Sequence, residues 1–183
     1  MTNTETCMRE MRHILKLFGQ SYDFDQQWIL FKAFLNTLHS LTDNDSKAKG
    51  ILIGSPLIDF TLVLRNIVHH QPAKWHYSQH DVQPTNFSIS YTEDSGVKMT
   101  SSYCLVIQKN TLEDEELQAE LGRNSSKQLK ALKIALKKIE AHVIVVKPLM
   151  LQIQNHIENY CREHNCYTDG YDEDSKGFVI VRN

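Results

Sequence analysis

A stripe of apolar residues in the last third of the chain constrains the fold more than any other feature. Across residues 129–160, an apolar side chain recurs at alternating steps of three and four positions. Such steps place side chains on one side of an α-helix, and the seven-residue repeat is typical of bundled helices. The stripe predicts one long helix over residues 125–164, with a kink or a break at Pro148 because proline lacks the backbone donor of a helix interior. Residues 141–146 are β-branched enough that a strand remains an alternative there.

The first 70 residues carry similar helical patterns. A stripe of aromatic and aliphatic residues predicts a helix over residues 24–38, capped by Asp23 or Asp25. Residues 42–50 are polar and rich in turn formers, which predicts a loop. Ser55 followed by Pro56 favours the start of a further, largely apolar helix, because proline suits the first helical position.

A different period follows in the middle of the chain. Residues 85–109 alternate between apolar and polar side chains around a turn at 94–96, which predicts an antiparallel β-hairpin. Residues 178–181 are a short strand candidate that could extend it. We therefore expect a mainly α-helical, up-and-down bundle with a small antiparallel hairpin insertion, formed as a single domain by residues 1–183.

Charge and composition limit the classes of function that the sequence allows. The formal net charge is −2, from 20 Lys and Arg against 22 Asp and Glu, so nucleic acid would have to bind a local basic patch. No stretch approaches the roughly 18 apolar residues of a membrane span, and residues 1–20 lack the apolar core of a secretory signal. The four cysteines have no framework spacing, which predicts reduced thiols in a cytoplasmic protein without a membrane partner.

The chemically informative segment is the end of the apolar helix, where Arg65, Asn66, His69 and His70 occur within six positions. Arginine is suited to bidentate phosphate binding, and a neutral histidine can move a proton near neutral pH. Asn66 and His70 lie on one side of an ideal helix, whereas Arg65 and His70 are offset by about 140°. They could converge if the last helical turn unwinds, or across a two-fold axis with a second copy. Arginine and histidine without acidic metal ligands fit metal-free RNA cleavage through the ribose 2′-hydroxyl.

The segment from Arg65 to His70 resembles the Arg-polar-x-x-x-His motif of the HEPN superfamily (higher eukaryote and prokaryote nucleotide-binding domain). The aromatic helix FKAFLNTLHSL and the polar loop before it are also similar to such sequences. The resemblance implies a HEPN-like helical bundle that forms a homodimer, with a composite, cofactor-free endoribonuclease site. It further implies that Arg65 binds phosphate, His70 is the catalytic histidine and Asn66 orients one of them. Many members of the superfamily are toxins or antiviral defence effectors. The resemblance therefore suggests an antitoxin or a defence protein as a partner.

Other residues are weaker candidates for RNA binding. They are His69 and Trp75 beside the motif, and Lys130 and Lys137 on the basic side of the long helix. His76 and His80 lack the further ligands of a metal site, so no metal is expected. The alternative function is a non-catalytic HEPN-like module that binds RNA, a nucleotide or a protein. A coiled-coil scaffold would explain the long helix but not the polar helix end at 65–70.

Overall fold

A computed structural model describes residues 3–21, 23–70, 82–92 and 96–164. The protein is mainly α-helical with a small antiparallel sheet, as the sequence predicts. The first four helices are α1 (Asn3–Gln20), α2 (Phe24–Asn44), α3 (Ser46–Leu52) and α4 (Pro56–His70). The strands are β1 (Val82–Thr92), β2 (Gly96–Gln108) and β3 (Val143–Val145), and the remaining helices are α5 (Lys109–Glu113), α6 (Glu115–Asn124), α7 (Ser126–Lys138) and α8 (Val146–Glu163).

The helix starts follow local chemistry. Asp23 precedes α2, and its carboxylate accepts a hydrogen bond from the Gln26 amide at 2.7 Å, so the first of the two predicted caps is the one used. Asp45 accepts from the Ala48 amide at 2.9 Å and so caps α3. The prediction of a loop at 42–50 is therefore wrong. Asp45 provides an N-cap that supports the short helix α3 in this segment.

The prediction of one long kinked helix over 125–164 is also wrong. The structure has two helices, α7 and α8, separated by residues 139–145, and β3 occupies the β-branched end of that interval. Val143–Val145 pairs with 106–108 of β2, so these residues satisfy their backbone in a sheet rather than a helix. Pro148 falls in the first turn of α8, where a missing amide hydrogen costs no helical hydrogen bond.

The predicted hairpin at 85–109 is present, and its strands begin earlier than expected. β1 and β2 pair antiparallel from Val82 and Leu105 to Thr92 and Gly96, with an irregularity between Pro84 and Asn86. β3 adds a third strand, giving the order β1-β2-β3. The strand candidate at 178–181 lies outside the described residues.

The core lies between the helices. α1 packs on α2 and α8, and α4 packs between α2 and α7. The largest side chains that are fully buried include Met11, Phe18, Phe31, Phe34 and Leu64. Burial of this apolar surface supplies the main driving force for folding. Within the described residues, no helix has both the length and the apolar character to cross a membrane.

Candidate phosphate-binding site at the end of helix α4

Helix α4 separates its apolar and polar positions cleanly at its C-terminal end. Leu64, Ile67 and Val68 are buried, whereas Arg65 and Asn66 are partly exposed. His69 is exposed. The buried residues fix α4 against α2 and α7, so the polar residues are presented at the surface from a rigid element.

Two amide oxygens hold the guanidinium of Arg65. Its Nη1 donates to Asn66 Oδ1 at 3.1 Å, and its Nε donates to Asn36 Oδ1 of α2 at 3.3 Å. Both acceptors are neutral, and within the described residues Arg65 forms no ion pair with a carboxylate. The arginine is therefore oriented while its positive charge stays uncompensated, which suits the binding of an anion such as phosphate.

The helix continues unbroken through His70, so the unwinding considered from the sequence does not occur. The backbone positions of Arg65 and His70 therefore remain offset by about 140° around α4. The guanidinium, however, reaches sideways to Asn66, and His70 follows Asn66 by one turn on the same side of the helix. Only the backbone of His70 is among the described atoms.

Asn36 lies outside the segment from Arg65 to His70, and sequence analysis did not identify it as a site residue. The sequence does contain a pattern that includes it. Along α2, Lys32, Asn36, His39 and Asp43 recur at steps of four, three and four, which places polar groups on one side of the helix. All four are at least partly exposed, and the opposite positions, such as Phe34 and Leu41, are buried. The sequence could reveal this polar stripe but not that it lies beside Arg65, 29 positions further along the chain.

The basic residues of α7 form a second feature near α4. Lys130 and Lys137 are exposed, as are Lys127, Lys133 and Lys138, and α7 contains no acidic residue. The apolar side of α7, with Leu132 and Leu136, is buried, and α7 packs directly on α4. The basic face therefore belongs to the helix next to the one that carries Arg65. Trp75 lies outside the described residues.

The remaining histidines and cysteines do not form a second site within the described residues. Among the described residues, no three His, Cys, Asp or Glu side chains are grouped so that they could hold a metal ion. His76 and His80 fall outside the described residues. Cys7 and Cys161 are buried outside any disulfide, and burial raises the pKa of the Cys7 thiol, with Glu10 and Asp45 adding to the effect.

Comparison with protein families, curated proteins and solved structures finds no match to this chain.

Proposed function

We propose that this protein is a metal-independent endoribonuclease of the HEPN type. The observation that carries the proposal is the Arg65 guanidinium, which two neutral amides orient while its charge remains available. An oriented, uncompensated arginine would favour the extra negative charge that develops on a phosphate during strand cleavage. The resemblance of the segment Arg65 to His70 to the HEPN motif supplies the reaction class.

In the proposed reaction, a base removes the proton of the ribose 2′-hydroxyl, and the resulting oxygen attacks the adjacent phosphorus. The bond from phosphorus to the 5′-oxygen breaks, and an acid protonates that oxygen. The products are a 2′,3′-cyclic phosphate and a 5′-hydroxyl. Arg65 stabilises the charged intermediate, His70 transfers a proton and Asn66 positions the guanidinium.

Substrate binding would extend beyond the reacting phosphate. The lysines on the exposed face of α7, including Lys130 and Lys137, would attract the RNA backbone, with His69 and Trp75 contacting nucleotides near the motif. We propose a homodimer in which the motifs of two copies form a composite site. A cytoplasmic toxin or defence effector with an antitoxin or defence partner is the setting that the resemblance favours.

The test is cleavage of labelled total RNA and tRNA by the purified protein in EDTA, with end-group analysis of the products. We expect wild type to cleave, and both Arg65→Ala and His70→Ala to lose at least about 100-fold in rate. Arg123→Ala, which removes an exposed arginine at the end of α6, is the matched control and should cleave normally. Cleavage that persists in both motif variants would reject the site, and specific RNA binding without cleavage would favour the non-catalytic module.

A further inference from the structure

The guanidinium of Arg65 lies between two polar rows that come from different helices. On one side it contacts Asn66 of α4, which His70 follows by four positions. On the other it contacts Asn36 of α2, which His39 follows by three positions. Residues three or four apart on a helix have Cβ atoms about 5–6 Å from each other, so each histidine lies one turn from an amide that holds the arginine.

His39 is prepared for proton transfer by its surroundings. Its Nε2 lies 3.3 Å from Asp43 Oδ2, and the imidazole is partly exposed at 34%. When the ring carries its single proton on Nε2, the Asp43 carboxylate faces that proton and Nδ1 keeps its lone pair. Within the described residues, Nδ1 of His39 has no partner, so it is open to a hydroxyl group of a bound substrate.

We propose that His39 is the general base of the ribonuclease site, with Asp43 as its positioning residue and His70 as the general acid. The inference rests on the proposed function and adds a group that the Arg65–His70 motif does not contain. Cleavage through a 2′-hydroxyl needs one group to accept a proton and another to donate one, on opposite sides of the phosphate. The two helices whose amides hold the Arg65 guanidinium each carry one candidate, His39 on α2 and His70 on α4.

In this mechanism, Nδ1 of His39 takes the proton of the 2′-hydroxyl as the 2′-oxygen bonds to phosphorus. The bond from phosphorus to the 5′-oxygen breaks, and His70 gives its proton to that oxygen. Asp43 holds the ring so that the lone pair faces the substrate and stabilises the imidazolium that forms. Lys32, one turn before Asn36 on the same side of α2, adds a positive charge for a neighbouring phosphate.

A substrate with sulfur in place of the bridging 5′-oxygen separates the two roles, because a leaving thiolate needs no proton. We expect His70→Ala to lose activity on the oxygen substrate and to regain it on the sulfur substrate. His39→Ala should lose about 100-fold or more on both, because the 2′-hydroxyl still requires a base. Asp43→Asn should lose less than His39→Ala. His13→Ala, which removes an exposed histidine of α1, is the matched control and should match wild type.

Two results would overturn the assignment of His39. One is cleavage of the oxygen substrate by both His39→Ala and His39→Gln at the wild-type rate. The other is recovery of His39→Ala on the sulfur substrate, which would make the residue an acid or a structural group. Thermal melts of the variants establish whether a loss of activity reflects loss of the fold.

If wild type cleaves neither substrate, the proposed function and the base role both fail, and the contact with RNA is then decided by NMR. The imidazole signals of His39 are followed while a 2′-O-methyl RNA oligomer, which cannot be cleaved by this route, is added. A shift at His39 without a shift at His13 supports a substrate-binding surface on α2. Unchanged His39 signals at a saturating concentration of the oligomer would also overturn the proposal that α2 contacts RNA at His39.

Discussion

Single polar side chains join elements that lie far apart in the chain. Gln27 of α2 is 4% exposed, and its Oε1 accepts a hydrogen bond from the Leu105 amide of β2 at 2.8 Å. Its Nε2 donates to the Ser21 carbonyl at 2.9 Å. Both ends of the buried amide are therefore satisfied, and the base of the hairpin is fixed to α2.

Replacing Gln27 with alanine should lower the free energy of unfolding by about 2 to 3 kcal/mol, because the buried Leu105 amide would lose its acceptor. Urea denaturation monitored by circular dichroism measures the change. Gln152→Ala, at an exposed position of α8, is the control and should change stability by less than about 0.5 kcal/mol. An equal effect of the two substitutions would contradict the role of Gln27.

His156 makes stability depend on pH. Its Nε2 lies 2.8 Å from Ser55 Oγ at the start of α4, and burial lowers the pKa of the imidazole below 6.5, against a smaller opposing effect of Glu163. The unfolded state therefore binds a proton more readily than the folded state. This contribution to stability is fully present above about pH 6.5 and is lost as the pH falls through the folded-state pKa.

We expect wild type to lose more stability than His156→Gln between pH 7.5 and pH 5. The glutamine variant has no imidazole at position 156, so no proton uptake there favours its unfolded state. Thermal unfolding at a series of pH values, with both proteins in the same buffers, gives the comparison. His13→Gln removes an exposed histidine and should follow the wild-type curve. Parallel curves for wild type and His156→Gln would show that protonation of this residue does not affect folding.

At the scale of elements, the important boundary is the break between α7 and α8. Lys109, the first residue of α5, donates from its amide to the His142 carbonyl at 2.9 Å. Its Nζ donates to the Ile139 carbonyl at 2.7 Å, just beyond the end of α7. A cation at this end of a helix also interacts favourably with its dipole. Contacts from the β2–α5 junction thus hold the chain in the break, together with the pairing of β3 on β2.

Pro148→Ala tests this boundary. In a continuous helix, alanine would remove a penalty of about 3 kcal/mol and strongly stabilise the protein. In the first turn of α8 no helical hydrogen bond is missing, so we expect the free energy of unfolding to change by less than about 1 kcal/mol. Chemical denaturation distinguishes the two outcomes, and Ala131→Pro within α7 provides the destabilising reference.

At the scale of the whole molecule, charge is unevenly distributed. The chain carries a formal net charge of −2, yet α7 contributes five lysines and no acidic residue. A protein of this kind does not attract RNA through its total charge, so binding would depend on a local field. The position of α7 on α4 puts that field on a neighbour of the helix that carries Arg65.

We expect RNA affinity to fall as salt rises, with a slope that reports the number of phosphates contacted. Lys130→Gln and Lys137→Gln should each reduce the slope by about 0.7 for single-stranded RNA. Lys16→Gln makes the same charge change at an exposed position of α1 and is the matched control. Binding titrations at four or more salt concentrations measure the slopes, and equal slopes for all variants would exclude α7 from the RNA path.

Local patterns alone determined the helices around residues 24–38 and 56–70 and the hairpin, because apolar period and cap chemistry depend on neighbours in the chain. They also marked Arg65, Asn66 and His70 as a polar group at a helix end. Only the tertiary structure decided that residues 139–145 leave the helix, because an apolar stripe fits a helix equally well until β2 offers a partner strand. Only packing placed Asn36 beside Arg65, because a contact between α2 and α4 leaves no mark on local periodicity.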